Sequence, residues 1–304
     1  MLDTVGTKHF YQSLIRDGFL RRWRYLSNKR NPTWALNAEG SETLPNLTMI
    51  QTPNGIWHLS AMVSLPKMLF GHNARLPKQA EVFEGLQIMS EYVEENSGLS
   101  FDVSTATVSL IHFAEDVCLP QAEILRLIRR LSEKTLPPMK KNLYEDSTLY
   151  FTSEARTKQV RIYSKLKEVL DKKQPTVEAI ENARGKLRFE SCFLKKYAID
   201  SLVKRLDLPD RTTRSLLTED VSNLVLSELL ERLNFYELLS DDKSNLEILL
   251  ERFPTRKAMN LDGFLNMVNL HGENFYKDKN HRFSKDSYYQ SARECRKAKV
   301  WARA

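Results

Sequence analysis

Cysteine is scarce in this chain of 304 residues, and the few copies present are not arranged for a structural role. Cys118, Cys192 and Cys295 lie far apart, and no two of them form a C-x-x-C pair. An odd number of widely spaced cysteines builds neither a disulfide framework nor a zinc ribbon. We therefore expect reduced thiols in a cytoplasmic protein.

Long apolar runs and the common catalytic signatures are also absent. No stretch approaches the roughly 18 uninterrupted apolar residues that a membrane span needs, and the opening MLDTVGTKHFYQSLIRDG lacks the apolar segment of a secretion signal. The sequence contains no G-x-x-x-x-G-K-[ST], G-x-G-x-x-G, H-E-x-x-H or G-x-S-x-G motif. We expect a soluble protein without a membrane partner, and nucleotide hydrolases, Rossmann enzymes, zincins and α/β-hydrolases have no motif support.

Positive charge is in modest excess and is concentrated at one end of the chain. Lysine and arginine number 46 against 39 aspartates and glutamates, which gives a net charge of +7. Residues 275–304 contain nine of the cations and three of the acids, so six of the seven net charges lie there. Such an excess attracts polyanions, nucleic acids among them.

A second basic segment lies near the start of the chain. Residues 16–30, RDGFLRRWRYLSNKR, combine six cations with one acid, and Trp23 and Tyr25 are interleaved among them. This pattern is typical of a nucleic-acid surface and equally of the solvated face of an amphipathic helix. Composition alone leaves both interpretations open.

Hydrophobic periodicity predicts strands mixed with helices in the first two thirds of the chain and helices alone after Tyr197. The predicted strands span 56–63, 105–114, 147–152, 158–163 and 185–193, and the predicted helices span 76–96, 121–134 and 166–171. We place a domain boundary near residue 205, so that a domain of residues 1–205 is followed by a domain of residues 206–304.

These elements predict an α+β fold in which a largely antiparallel sheet carries helices on its outer face and is followed by an all-helical C-terminal domain. The strand 185–193 alternates strictly, with one apolar face and one face formed by Arg188, Glu190 and Cys192. The residues predicted to lie on covered sheet faces are Leu187, Phe189, Phe193, Val108, Leu110, Ile111, Val160 and Ile162.

The segment VRIYSKLKE, residues 160–168, is the most informative for chemistry. If it continues the preceding strand, Arg161, Tyr163 and Lys165 share one face, and a phenol between two cations ionises more easily. A tyrosine needs such help, or a metal-polarised phosphate, to act as a nucleophile at neutral pH because its free pKa is about 10. The alternative is a surface tyrosine flanked by solvated basic residues.

Two further residues interrupt apolar strands. Glu190 lies within LRFES, where a buried carboxylate must be paired with Arg188 or a lysine, or must bind a metal. His112 lies between Ile111 and Phe113, where a neutral imidazole is either a core residue or a metal ligand. The sequence leaves both pairs of alternatives open. We expect the acidic residues that follow His112 to form a solvated turn.

With these residues located, four segments in order resemble the gene II/gene X replication-initiation proteins of filamentous bacteriophages and, more distantly, the Rep initiators of rolling-circle plasmids. SLPKMLFGHN resembles the family's S-x-x-K-x-L-x-G-H-N segment, and VSLIHFAED lies where the family has an S/T-R-I/L-D strand. VRIYSKLKE resembles its Y-x-K-x-x-E motif, and GKLRFES resembles its L-V-R-F-E strand. The four segments lie within residues 64–197.

The resemblance implies an enzyme that nicks and rejoins single-stranded origin DNA of a phage or plasmid in the cytoplasm of a host bacterium. Tyr163 would attack the phosphodiester, leaving a 5′-phosphotyrosine and a 3′-hydroxyl that primes a host polymerase assisted by a host helicase. His112 and Glu190 would hold Mg²⁺ or Mn²⁺, and Lys165 would stabilise the phosphate or the phenolate. Glu168 would be a third ligand or a helix cap.

One motif departs from the family pattern. The chain has Leu110 and His112 where the family has arginine and aspartate, so an oxygen ligand is replaced by imidazole. Imidazole suits Mn²⁺ better than Mg²⁺, which predicts a shift in metal preference. The departure also admits a non-enzymatic origin-binding regulator. A transposase or conjugative relaxase would use the same chemistry, but no H-x-H pair occurs among the six histidines.

The end of the chain, FSKDSYYQSARECRKAKVW, resembles the family's closing S-x-S-x-Y-Y-R segment. Ser284 predicts a helix start, and the pattern predicts a basic amphipathic helix over 285–299. Such a helix could lie against origin DNA, and a frayed basic tail is the alternative. The residues predicted to contact DNA are Arg161, Arg293, Arg296, Lys297 and Lys299.

Overall fold

The structure is a computed structural model. It describes residues 2–11, 23–26, 31–36, 41–54, 56–145, 147–172, 174–240, 245–271 and 284–298. The strands are β1 (Leu2–Tyr11), β2 (Arg24–Leu26), β3 (Thr33–Leu36), β4 (Asn46–Gln51), β5 (Trp57–Ser64), β6 (Thr107–Cys118), β7 (Lys140–Tyr144), β8 (Thr148–Thr152), β9 (Lys158–Ser164) and β10 (Lys186–Phe193).

The helices follow and interleave with these strands. They are α1 (Leu65–Phe70), α2 (Gln79–Ser97), α3 (Gln121–Ser132), α4 (Lys165–Leu170), α5 (Val177–Ala183), α6 (Lys196–Arg205), α7 (Thr213–Leu216), α8 (Glu219–Arg232), α9 (Phe235–Ser240), α10 (Asn245–Arg252), α11 (Thr255–His271) and α12 (Lys285–Lys297). The predicted α+β fold is confirmed. Among the described helices, none is both long enough and apolar enough to cross a bilayer.

The described strands form one sheet in the order β2-β3-β4-β5-β1-β6-β10-β9-β8-β7. Neighbouring strands are antiparallel throughout this order. Sequence periodicity predicts no strand before residue 56, yet β1 lies near the centre and pairs with both β5 and β6. Two register shifts against β6, at Asp3 and between Gly6 and Thr7, interrupt the alternation by which a strand is recognised.

The two faces of the sheet differ in chemistry. The apolar face carries Phe113, Phe189 and Phe193, all at most 1% exposed, and helices cover it. Among these helices, α3 and α9 pack over the β8–β10 side, where the Phe189 ring lies 4.8 Å from that of Phe235. The opposite face, called the polar face below, carries His112 and Glu190.

The core of the sheet continues past residue 205. Helices α7 and α8 contribute Leu216, Val221 and Leu226 to the same cluster as β1, β5 and β6. A separate cluster joins α10, α11 and α12 within 249–298. The boundary near residue 205 stays a prediction, while the packing divides the described residues between Leu238 and Leu249.

Two local predictions were wrong. The residues after His112 form no turn, because β6 runs on to Cys118 and Asp116 lies within it. Leu110 is half-buried on the polar face rather than in the core. For the basic segment near the start, two interpretations were left open, and its residues 24–26 form a short exposed edge strand, which does not fit the amphipathic helix. Trp23 is buried and donates to the Asn96 carbonyl, and most of this segment lies outside the described residues.

Candidate active site

The register of β6, β10 and β9 brings the predicted site residues together on the polar face. His112 lies opposite Cys192, and Glu190 lies opposite Arg161. Tyr163 lies opposite Arg188 on the next row. Because side chains alternate along a strand, positions two apart share a face, so these residues form one cluster.

Three of these side chains could hold a metal ion. Ligand atoms of His112, Glu190 and Cys192 all lie within 4.8 Å of one another, and the three residues are at most 8% exposed. Burial, and then the Arg161 charge, lower the pKa of His112 to about 4, so the imidazole is neutral at pH 7. Burial and the Glu190 carboxylate raise the pKa of the Cys192 thiol well above its usual range.

Some buried atoms of the described residues that could bind a cation lack a hydrogen-bond partner. Among them are Nε2 of His112 and Oδ1 of Asp3. Leaving such atoms unpaired costs free energy, and a bound cation would satisfy both kinds of atom. The donor types, one nitrogen, one carboxylate and one thiol, fit a divalent transition ion.

Tyr163 lies at the cluster but is not ionised by it. The residue is 7% exposed, and its hydroxyl donates to Glu190 Oε1 at 2.5 Å. Burial, and then the Glu190 charge, raise the pKa of the phenol well above 10. The expectation of a readily ionised phenol was therefore wrong, because the nearest charged group is a carboxylate rather than a pair of cations.

Lys165 lies at the start of a helix instead of on the strand. Ser164 caps α4, and Lys165 is its first residue, fully buried with Nζ 2.8 Å from Glu168 Oε2. The ammonium lies 5.5 Å from the centroid of the Tyr163 ring. Burial and then Arg188 lower the pKa of Lys165 to about 8. Glu168 also pairs with Lys172, so its contacts are those of a structural ion-pair residue.

The partner of Glu190 is not the residue nearest in sequence. Arg161 approaches Glu190 Oε2 at 3.5 Å and remains one-third exposed. Arg188 instead binds Asp116 through two hydrogen bonds of 2.6 and 2.8 Å, and donates to the Asn73 carbonyl at 2.7 Å. Burial and then Asp3 raise the pKa of Glu190, which makes its carboxylate a stronger base.

The SLPKMLFGHN segment lies next to this cluster. Its helix α1 ends at Gly71, whose φ of +74° favours glycine. The chain then turns so that the carbonyls of Asn73 and Ala74 accept hydrogen bonds from Arg188 and Lys186. The chain at the end of this segment therefore fixes the start of β10.

The predicted basic helix at the end of the chain is present as α12. The Ser284 hydroxyl accepts the Ser287 amide at 3.1 Å, which caps the helix as expected. The buried side of α12 carries Tyr288, Ala292 and Cys295 in the last apolar cluster. The cations Arg293, Arg296 and Lys297 are exposed. Lys299 lies outside the described residues, and a role in DNA binding stays a prediction.

Sequence reasoning missed two members of the site, Cys192 and Asp3. The alternation of β10 placed Cys192 on the face of Glu190, but a lone cysteine has no ligand spacing. Asp3 lies at the bulge in β1, a strand that periodicity does not predict. Both reach the site only through pairing between strands that are distant in sequence.

A comparison with known families bears on what this site does. A family model for the N-terminal region of the phage replication-associated protein of the gene II type matches residues 18–207, which is more than half of the chain. No curated protein matches the chain significantly.

Proposed function

Because the protein belongs to the family of phage replication-associated proteins of the gene II type, and so has a replication-initiator role, we propose that it nicks and rejoins single-stranded origin DNA with Tyr163 as the nucleophile. The observation that carries the proposal is the hydrogen bond of 2.5 Å from Tyr163 to Glu190, a residue shared with the candidate metal ligands. A nucleophile, its base and a cation site then converge on one sheet face.

The phenol pKa determines how the step proceeds. Since burial keeps Tyr163 protonated at neutral pH, its proton passes to Glu190 as the phenolic oxygen bonds to phosphorus. The bond from phosphorus to the 3′ oxygen breaks, and that oxygen takes a proton from water. The products are a 5′-phosphotyrosine and a 3′-hydroxyl. The reverse transfer rejoins the strand, and a host polymerase and helicase would use the hydroxyl in between.

A divalent cation held by His112 and Glu190, with Cys192 as a third donor, would polarise the scissile phosphate. Imidazole nitrogen and cysteine sulfur are softer donors than the oxygens that Mg²⁺ prefers. We therefore propose Mn²⁺ or another transition ion in preference to Mg²⁺. Lys165 would stabilise negative charge that develops beside the ring of Tyr163. Arg161 is the most exposed of these site residues and would contact the phosphate first.

A second candidate function has one observation in its favour. The Tyr163 hydroxyl is buried and donates a hydrogen bond to a carboxylate. This suits a structural tyrosine in an origin-binding regulator without nicking activity. The basic helix α12 would serve either function, because Arg293, Arg296 and Lys297 can neutralise the phosphates of origin DNA.

The deciding experiment is covalent capture. Labelled single-stranded DNA from the origin region is incubated with the protein and Mn²⁺, or with Mg²⁺, and adducts are separated under denaturing conditions. The wild type should form an adduct, more with Mn²⁺, and Tyr163→Phe should form none. Tyr150→Phe, on the same face beside Arg161, is the matched control and should keep the adduct. Binding without an adduct in the wild type would establish the regulator instead.

A further inference from the structure

Two cavities flank the candidate metal ligands on the polar face. One, of about 790 Å³, lies over β7, β8 and β9. The other, of about 650 Å³, lies over β1, β4, β5 and β6 and is bordered by the start of α6. Both are large enough for a ligand of several linked groups. A strand of DNA crossing the site could occupy either side, so their chemistry decides between them.

The two cavities differ in the charge of their lining residues. The cavity over β7–β9 has mixed charge, and its charged lining residues are Lys140, Arg156, Glu145, Glu154 and Asp171. Its net formal charge is negative, which repels phosphate. The charged lining residues of the second cavity are Lys8, Lys195, Lys196 and Arg211, and no carboxylate occurs among its lining residues. We call this second cavity the lysine trough.

The position of two of these lysines strengthens the field. Lys195 is the N-cap residue of α6, and Lys196 is its first residue. Cations at a helix N-terminus add to the positive end of the helix dipole, which is an unfavourable arrangement in the absence of an anion. The arrangement becomes favourable when an anion lies between them.

The floor of the lysine trough suits the rest of a nucleotide. Met62 is 44% exposed there, and half-buried Leu110 lies on the other side of Gly6. These apolar side chains offer contact to unpaired bases. Hydroxyl groups of Thr48, Ser60 and Ser109 line the same space and can bond sugar or phosphate oxygens.

The lysine trough lies next to the candidate active site. Leu110 lies two residues before His112 on β6, a separation of roughly 7 Å on the same face. On β1, Gly6 lies opposite Leu110 and Thr4 lies opposite His112. A Cβ at Gly6 would come within 3.3 Å of Leu110 and Ser109, so glycine keeps this part of the floor open.

We propose that the lysine trough binds the sugar-phosphate backbone of single-stranded DNA and leads it to His112 and Glu190. This inference rests on the proposed function for the identity of the strand, but the trough is defined by its own residues. A single strand fits better than a duplex, because its unpaired bases can reach the apolar floor while its phosphates reach Lys195 and Lys196.

The test is a salt titration of binding. An oligothymidylate of about 16 nucleotides, labelled for fluorescence anisotropy, is bound to the wild type, to Lys195→Gln/Lys196→Gln and to Lys140→Gln/Arg156→Gln. The last is the matched control, since it removes two cations from the other cavity. The trough variant should bind more weakly, and its slope of log K against log salt should be shallower by about 1.4, because each lost contact to a single strand contributes about 0.7. The control should keep the wild-type slope.

The outcomes separate this inference from the nicking proposal. Wild-type binding by the trough variant, an equal loss in both double variants, or an equal loss for single-stranded and duplex DNA would overturn the trough. Adduct formation is measured on the same proteins. An adduct in the wild type with no binding change in the trough variant leaves nicking intact and removes the trough. A shallower slope in the trough variant, together with no adduct in the wild type, supports the trough and removes the nicking proposal. Thermal unfolding of both variants controls for folding.

Discussion

The two buried faces of strand β10 have opposite effects on the stability of the protein. Leu187, Phe189 and Phe193 on one face are at most 1% exposed and lie in the apolar core. Arg188 and Glu190 on the other are just as buried, at 0% and 3%. Burying apolar area stabilises the fold, whereas burying charge costs free energy that ion pairing returns only in part. The comparison teaches that the two faces of one strand contribute to stability with opposite sign.

The largest expected effect tests the apolar face. Phe189→Ala removes a fully buried ring in contact with Phe235, and it should lower the free energy of unfolding by about 4 kcal/mol in urea denaturation. The control is Leu224→Ala on α8, where the side chain is 56% exposed, and it should change stability by less than about 0.5 kcal/mol. Similar losses in the two variants would show that this face is not the main source of stability.

The next effect tests whether the polar face is costly. Asp116→Leu leaves the Arg188 guanidinium buried without its carboxylate, and it should destabilise by about 3 kcal/mol. The double variant Asp116→Leu/Arg188→Met replaces the pair by apolar side chains and should recover most of this loss in the same assay. A double variant as unstable as the single one would contradict the view that charge on this face is a cost.

Sequence alone predicted the half of the sheet from β6 to β7 better than the half from β2 to β1. Regular alternation located β6, β9 and β10. The strands before residue 56 were missed because β2 and β3 are short and β1 is bulged. Placing β1 between β5 and β6 depends on long-range pairing, which no local pattern encodes.

The candidate site shows the same limit at the level of single residues. Motif order indicated His112, Tyr163 and Glu190, and the structure places them on one face. The sign of the Tyr163 pKa shift was predicted wrongly, because neighbours in sequence were taken as neighbours in space. Across the strands the tyrosine meets Glu190, and the electrostatics of the site follow from that pairing.

The smallest expected effect is a pH dependence of stability at Lys165, at the edge of the polar face. Burial lowers the pKa of Lys165 to about 8 from 10.5, so between these values the unfolded chain holds a proton that the folded protein has released. Unfolding then takes up protons, and the stability of the wild type relative to Lys165→Met should rise by roughly 1.5 kcal/mol from pH 8 to pH 9.5. Well below pH 8 both states are protonated and the difference should stay constant. Urea denaturation across this range measures it, with Lys140→Met as a control at a lysine that is 75% exposed. A difference that stays flat would mean that Glu168 offsets the burial of the Lys165 ammonium, and a difference that falls with pH would mean that Glu168 outweighs it.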